Sequence, residues 1–195
     1  MPSKSATTVL LCGVGGQGTI LAADILAHAA IASGITVKVS EIHGMAQRGG
    51  AVTTVVRFGE EVNTMVADLG CADCVVSFET TEALRNLPYL KEGGYLLVAD
   101  ETIKPMPVQT GKAAMPANAH QKLQDNNATI IPAGELARTI GSPKSVNVVL
   151  LGALSSRLDF PVSAWEQVIR DRVPQKTIDA NIKAFHAGRD FASKA

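Results

Sequence analysis

The sequence predicts an α/β fold: a Rossmann-like, mostly parallel sheet with an inserted β-hairpin and a helical C-terminal third. Three observations predict it. A strand–glycine turn–helix unit opens the chain, with TVLLC at 8–12, GVGGQG at 13–18 and an apolar, helix-forming run over 19–33. A second strand–helix–strand unit spans CVVSF (74–78), TTEALRNLPYL (80–90) and YLLVAD (95–100), the arrangement that parallel strands require. Between the strands at 35–40 and 51–58, by contrast, no crossover helix has room to form, so the sheet must be interrupted there.

TVLLC is apolar and β-prone, as a strand buried on both faces should be. The helix over 19–33 carries only two titratable side chains, Asp24 and His28, four residues apart and so on one face. They read either as a narrow solvated stripe or as a polar contact with another subunit. Gly34 is placed to stop the helix, and ITVKVS at 35–40 alternates as a second strand. AVTTVVRF at 51–58 has the pattern of a third strand. Gly59-Glu60-Glu61 reads as a turn before VNTMV, giving a hairpin over 51–66. Gly93-Gly94 reads as the turn before YLLVAD. The stretch 104–118, with Pro105, Pro107 and Pro116, predicts an excursion at the sheet edge, and ATIIP at 128–132 the last strand. Helices follow in ELARTIG, in SVNVVLLGALSSRL, after Pro161 and after Pro174. The run 146–158 is apolar around most of its circumference, which predicts burial against the sheet or a partner.

Composition narrows the function. Lys and Arg total 18 and Asp and Glu total 18, so no electrostatic footprint for nucleic acid or an anionic membrane is present. The apolar run before the first glycines is too short for a signal-peptide core, and no run reaches membrane-spanning length, so the expectation is a cytoplasmic protein. Cys12, Cys71 and Cys74 are too few for an iron–sulfur cluster or a four-thiolate zinc site, and the reading is of free thiols. The sequence contains no nucleophile elbow, no Walker loop and no H-E-x-x-H pair. Glu79 and Glu82 sit where a helix N-terminus favours carboxylates, which needs no catalytic role.

Two segments are candidates for binding. Gly13, Gly15 and Gly18, with Gly16 and Gln17 between them, match G-x-G-x-x-G in strand-to-helix context, where free N–H groups attract an anion. The alternative is a tight turn that lets helix and strand pack closely. Glu41 lies about 20 residues beyond the turn, where a nicotinamide enzyme holds its ribose. The second segment is EIHGMAQRGG at 41–50, polar and glycine-rich between two strands. It presents Glu41, His43, Gln47, Arg48 and Gly49 together from a loop at the binding edge of the sheet. Arg48 would clamp a phosphate or carboxylate with its planar fork, or pair with Glu41 and hold the loop shut. His43 would serve as a general base or hydrogen-bond within the loop.

These residues carry a resemblance. GVGGQGT at 13–19, VSEIHGMAQRGG at 39–50, VRFGEEV at 56–62, FETTEALR at 78–85 and SVNVVLLG at 145–152 resemble the gamma-type module of the 2-oxoacid:ferredoxin oxidoreductases. The likeness covers nearly the whole chain and implies one such domain over residues 1–195. It also implies a part in the oxidative decarboxylation of aryl pyruvates with coenzyme A, yielding an acyl-CoA, carbon dioxide and reduced ferredoxin. By the same resemblance, thiamine diphosphate and the 4Fe-4S clusters belong to a larger alpha subunit, and this chain holds no cofactor alone. The glycine turn and the 43–50 loop would complete a site or an interface, with an anion such as a coenzyme A phosphate as their ligand. Rival readings are a self-sufficient nicotinamide enzyme with Glu41 on the ribose, and an assembly module that binds nothing. Self-association of the isolated chain is left open.

Overall fold

The computed structural model describes residues 6–43 and 50–194. In chain order the elements are β1 (Thr7–Val14), α1 (Thr19–Ala32), β2 (Thr36–His43), β3 (Ala51–Gly59), β4 (Ala72–Ser77), α2 (Thr80–Asn86) and β5 (Leu90–Ala99). Then come α3 (Met106–Gln109), α4 (Ala119–Asp125), β6 (Thr129–Ile131), α5 (Ala133–Thr139), α6 (Val146–Ser155), α7 (Val162–Arg172) and α8 (Ile178–Ala192). The six strands form one sheet in the order β2-β3-β1-β4-β5-β6. β1, β4, β5 and β6 pair in parallel, whereas β3 is antiparallel to both its neighbours. β2 therefore points the same way as β1, and β3 is the single reversed strand.

The predicted α/β sheet with an inserted hairpin is present, but the hairpin is differently made. VNTMV does not continue β3 as a second arm. β3 pairs instead with the preceding β2, in a register that sets Glu41 opposite Thr54 and His43 opposite Val52. The segment after β3 folds back, with the Arg57 guanidinium donating to the carbonyl oxygens of Thr64 and Val66 at 3.3 and 3.2 Å. Antiparallel neighbours need only a short connection, which is why no crossover helix lies between β2 and β3. The Gly93-Gly94 pair is likewise not a separate turn. It lies inside β5, where the pairing with β4 shifts between Ala72 and Cys74.

Strand alternation sends side chains to two unequal layers. Val9, Leu11, Val56, Val76 and Leu97 meet α1, α6, α7 and α8 in the larger core, which includes Trp165 and Phe185. Leu10, Cys12, Val55, Val75 and Leu96 face the other way, onto Ala83 of α2 and Leu123 of α4. α6 is buried from Asn147 through Ser155, as its all-round apolarity requires, and this burial comes from the chain's own α1, α5 and α8. Among the described residues no helix is long and apolar enough to cross a membrane.

Candidate functional site

At the C-terminal end of β1 the chain turns through Gly15 to Gly18 and enters α1. Gly16 and Gly18 have φ of +101° and +82°, values that side chains with a Cβ adopt at a cost of about 1 kcal/mol. Gly13 is glycine for a different reason. A Cβ there would lie 2.7 Å from Gln17 Oε1 and 2.9 Å from Phe78 Cβ. Gln17 is occupied within the chain: its Oε1 accepts from the Val14 N–H at 2.7 Å and its Nε2 donates to the Phe78 carbonyl at 3.0 Å. Its amide therefore clamps the ends of β1 and β4 together, and only the backbone of the turn faces outward.

The two segments singled out from the sequence meet. The Gly15 N–H donates to the Gly50 carbonyl at 2.9 Å, so the chain returning from the 43–50 loop is fastened to the glycine turn. Gln47, Arg48 and Gly49 lie outside the described residues, and of His43 the backbone alone is described, at the end of β2. Glu41 is exposed and opens onto a different groove, beside Ile20, Asp24 and Val39. Since β3 stands between β2 and β1, Glu41 is two strand spacings, about 10 Å, from the strand that leads into the turn. A ribose-binding acid sits on the adjacent strand, so this topology removes the geometric basis of the nicotinamide reading.

On its other side the turn borders a cleft of about 540 Å³, lined by Gly16, Gln17, Glu101, Gly134, Arg138 and Lys144. Two helices begin here. The Asn147 side chain at the start of α6 donates to the Gly18 carbonyl at the start of α1 at 3.4 Å. Neither helix has an acidic residue in its first turn, and the one carboxylate in the cleft lining is that of Glu101. With Arg138 and Lys144 exposed on the rim, the cleft is chemically suited to an anion. Sequence reasoning missed these cations, because nothing in the spacing of residues 138 and 144 links them to residues 16 and 17. Asn147 did leave a signal, as a polar amide in the first turn of an otherwise apolar helix.

Several other chemistry-bearing groups are engaged within the chain. The Glu79 carboxylate caps α2, accepting from the Thr81 N–H at 3.0 Å and from the Glu82 N–H. Glu82 is 4% exposed, and burial pushes its carboxyl above the ordinary range while Arg85 opposes the shift. Asp24 and His28 are half-exposed, and Arg172 of α7 reaches both. Burial raises the thiols of Cys12 and Cys74 to about 12, whereas Cys71 is exposed. Since the thiolate is the reactive form, a thiol reagent at neutral pH is expected to label one cysteine of the folded chain and all three in denaturant. Peptide mapping should find the native label on Cys71, and labelling of Cys12 or Cys74 without unfolding would contradict the packing.

A mostly parallel α/β sheet, broken by one reversed strand among the described residues and carrying a glycine turn beside a cationic cleft, defines a Rossmann-like module in which β2 is not adjacent to β1. The model of the pyruvate ferredoxin/flavodoxin oxidoreductase family matches residues 8–191, and the chain belongs to that family. It is 42% identical over 187 residues to the indolepyruvate oxidoreductase subunit IorB of Thermococcus kodakarensis, covering 92% of this chain and 93% of that one. Among solved structures it is similar to the keto/oxoacid ferredoxin oxidoreductase gamma subunit from Geobacter sulfurreducens, at 28% identity and a TM-score of 0.73, covering 97% of this chain and 99% of that one. The fold also recurs in the 2-oxoglutarate:ferredoxin oxidoreductase of Magnetococcus marinus, solved with 2-oxoglutarate, coenzyme A and succinyl-CoA bound. That likeness has 21% identity and a TM-score of 0.76, and it covers 98% of this chain but 32% of the longer one.

Proposed function

We propose that this chain is the small subunit of a cytoplasmic indolepyruvate-type 2-oxoacid:ferredoxin oxidoreductase, a single gamma-type domain that is inactive without a larger subunit. The observation that carries the reading is the 42% identity to a named small subunit, running over 93% of its length. The reaction is the coenzyme A-dependent oxidative decarboxylation of an aryl 2-oxoacid, with ferredoxin as electron acceptor. Thiamine diphosphate and iron–sulfur clusters on the larger subunit supply the carbanion and electron-transfer chemistry. The residues here do not suit a cluster: Cys12 and Cys74 are held protonated in opposite core layers, which leaves one surface thiol.

What this chain contributes is a binding edge. Its parts are the backbone of Gly13, Gly15, Gly16, Gln17 and Gly18, His43 at the end of β2, the residues Gln47, Arg48 and Gly49 that follow it, and the rim cations Arg138 and Lys144. The helix N-termini and cations orient an anionic group, a phosphate of coenzyme A, toward the partner's reacting centre. The test is reconstitution of the two purified subunits, with acceptor reduction followed under varied indolepyruvate and coenzyme A. Neither subunit alone should turn over, and the mixture should. Arg48→Ala and Lys144→Ala are each expected to raise the KM for coenzyme A about 10-fold or more, the value of one charge-assisted hydrogen bond, with kcat little changed. Turnover by the small chain alone would overturn the reading, and unchanged KM values would remove coenzyme A from this edge.

A further inference from the structure

α1 is apolar apart from Asp24 and His28, which share one side of it. Its inner side is buried through Ala22, Ala23, Ile25, Leu26, Ala29 and Ala30. Its outer side is not. Ile20 and Ile31, three helical turns apart on the same stripe, are 50% and 54% exposed. Beside this stripe runs β2, the terminal strand of the sheet, whose outer edge has no neighbouring strand among the described residues. Val39 is exposed on the α1 side of β2, and Ile42 is exposed on its opposite side. Between helix and strand lies a groove of about 660 Å³, lined mostly by apolar side chains. An unpaired, proline-free edge next to an apolar groove is a surface that soluble proteins keep covered.

Two observations indicate what covers it. The face is continuous with the binding edge: Ile20 is two residues past Gly18, and β2 runs directly into the 44–49 loop. A chain that packs on this face therefore lies next to that edge. In the Magnetococcus marinus enzyme, moreover, the same fold makes up 32% of a longer chain. There the module is joined to further polypeptide, and where it is a separate chain the corresponding contacts have to form between subunits.

We infer that the outer face of α1 and the edge strand β2 form the surface on which the larger subunit packs, its apolar side chains filling the α1–β2 groove and its backbone pairing with β2. The inference rests on the two-subunit reading above. At the centre of the stripe Asp24 and His28 already engage Arg172, so specificity there comes from the geometry of a preformed polar cluster within an apolar border.

The test mixes the purified chain with the larger subunit and measures the complex by size-exclusion chromatography and by titration calorimetry. Ile31→Glu and Val39→Lys place a charge on the face at exposed positions where folding tolerates it, and Met106→Glu, 68% exposed on α3, serves as the control. Far-UV circular dichroism and the fluorescence of Trp165 establish that each variant is folded. Ile31→Glu and Val39→Lys are expected to weaken the complex about 30-fold or more, with Met106→Glu binding as the unsubstituted chain does. Equal affinity for all three variants overturns the docking face and leaves the functional reading standing. Failure of the unsubstituted chain to bind the larger subunit overturns the functional reading and this inference with it. If the chain alone forms a dimer that Ile31→Glu dissolves, while the variant still binds the larger subunit, the face belongs to a second copy and the inference is wrong.

Discussion

Replacing Gly152 with alanine is expected to destabilise the protein by about 3 kcal/mol or more, and replacing it with valine to prevent folding. α6 and α8 cross with their backbones in contact. A Cβ at Gly152 would lie 1.9 Å from the Phe185 carbonyl oxygen, and a Cβ at Gly188 would lie 1.9 Å from the Val149 carbonyl oxygen. The contact is reciprocal, so neither helix can shift away from one methyl group without disturbing the other half of the crossing. Relief requires the helices to separate along an interface where α6 is buried over nine consecutive residues. Two effects oppose each other. Alanine is the better helix former by about 1 kcal/mol. Separation loses close packing along the whole crossing and opens voids that no side chain fills, an effect several times larger. Equilibrium urea denaturation of Gly152→Ala and Gly188→Ala, followed by far-UV circular dichroism, measures the difference. A loss below about 1 kcal/mol in both variants would mean that the helices are not in backbone contact.

How far the sequence disclosed this architecture depends on whether the physical cause was local. The polar first half of β5, Leu90 to Gly94, reads as a helix end and a turn, whereas β1 and the buried C-terminal halves of β4 and β5 are short apolar runs, which located them. α6 was readable as buried for the same reason. The pairing of β3 was not, because a choice of neighbour is a tertiary property. Gly59-Glu60-Glu61 has the composition of a tight turn, whereas the true β2–β3 connection runs from residue 44 to 50 and is longer than the commonest hairpin loops. α4 escaped notice because it buries one residue, Leu123, and so shows no periodicity. At the candidate site the glycine turn was legible from its spacing. Its relation to Arg138 and Lys144 was not, since the sheet brings together residues more than a hundred positions apart. Gln17 is the instructive residue: a polar side chain in a glycine turn reads as facing a ligand, yet both ends of its amide bind the chain's own backbone. The reversed strand between β2 and β1 decided a question that the position of Glu41 in the sequence had left open.

Trp165→Ala is expected to cost about 3–5 kcal/mol, and Trp165→Phe markedly less. Trp165 of α7 is fully buried and stands in a row of aromatic rings that joins a strand to two helices. The Phe58 and Phe160 centroids are 5.1 Å apart, Phe160 and Trp165 5.8 Å, and Trp165 and Phe185 5.8 Å. The row links β3 to α7 and α8, so truncating its central ring opens a cavity where three elements meet. The indole Nε1 has no hydrogen-bond partner among the described residues. A buried donor of this kind carries a desolvation penalty of about 1–3 kcal/mol that the native state does not recover. Phenylalanine removes that penalty while keeping most of the ring contact, so its smaller cavity is partly offset. Chemical denaturation followed by far-UV circular dichroism separates the two variants without depending on the tryptophan signal. Should Trp165→Phe prove as costly as Trp165→Ala, the indole N–H must be bonded in solution, and a water molecule inside the α7–α8 core is then the group to locate.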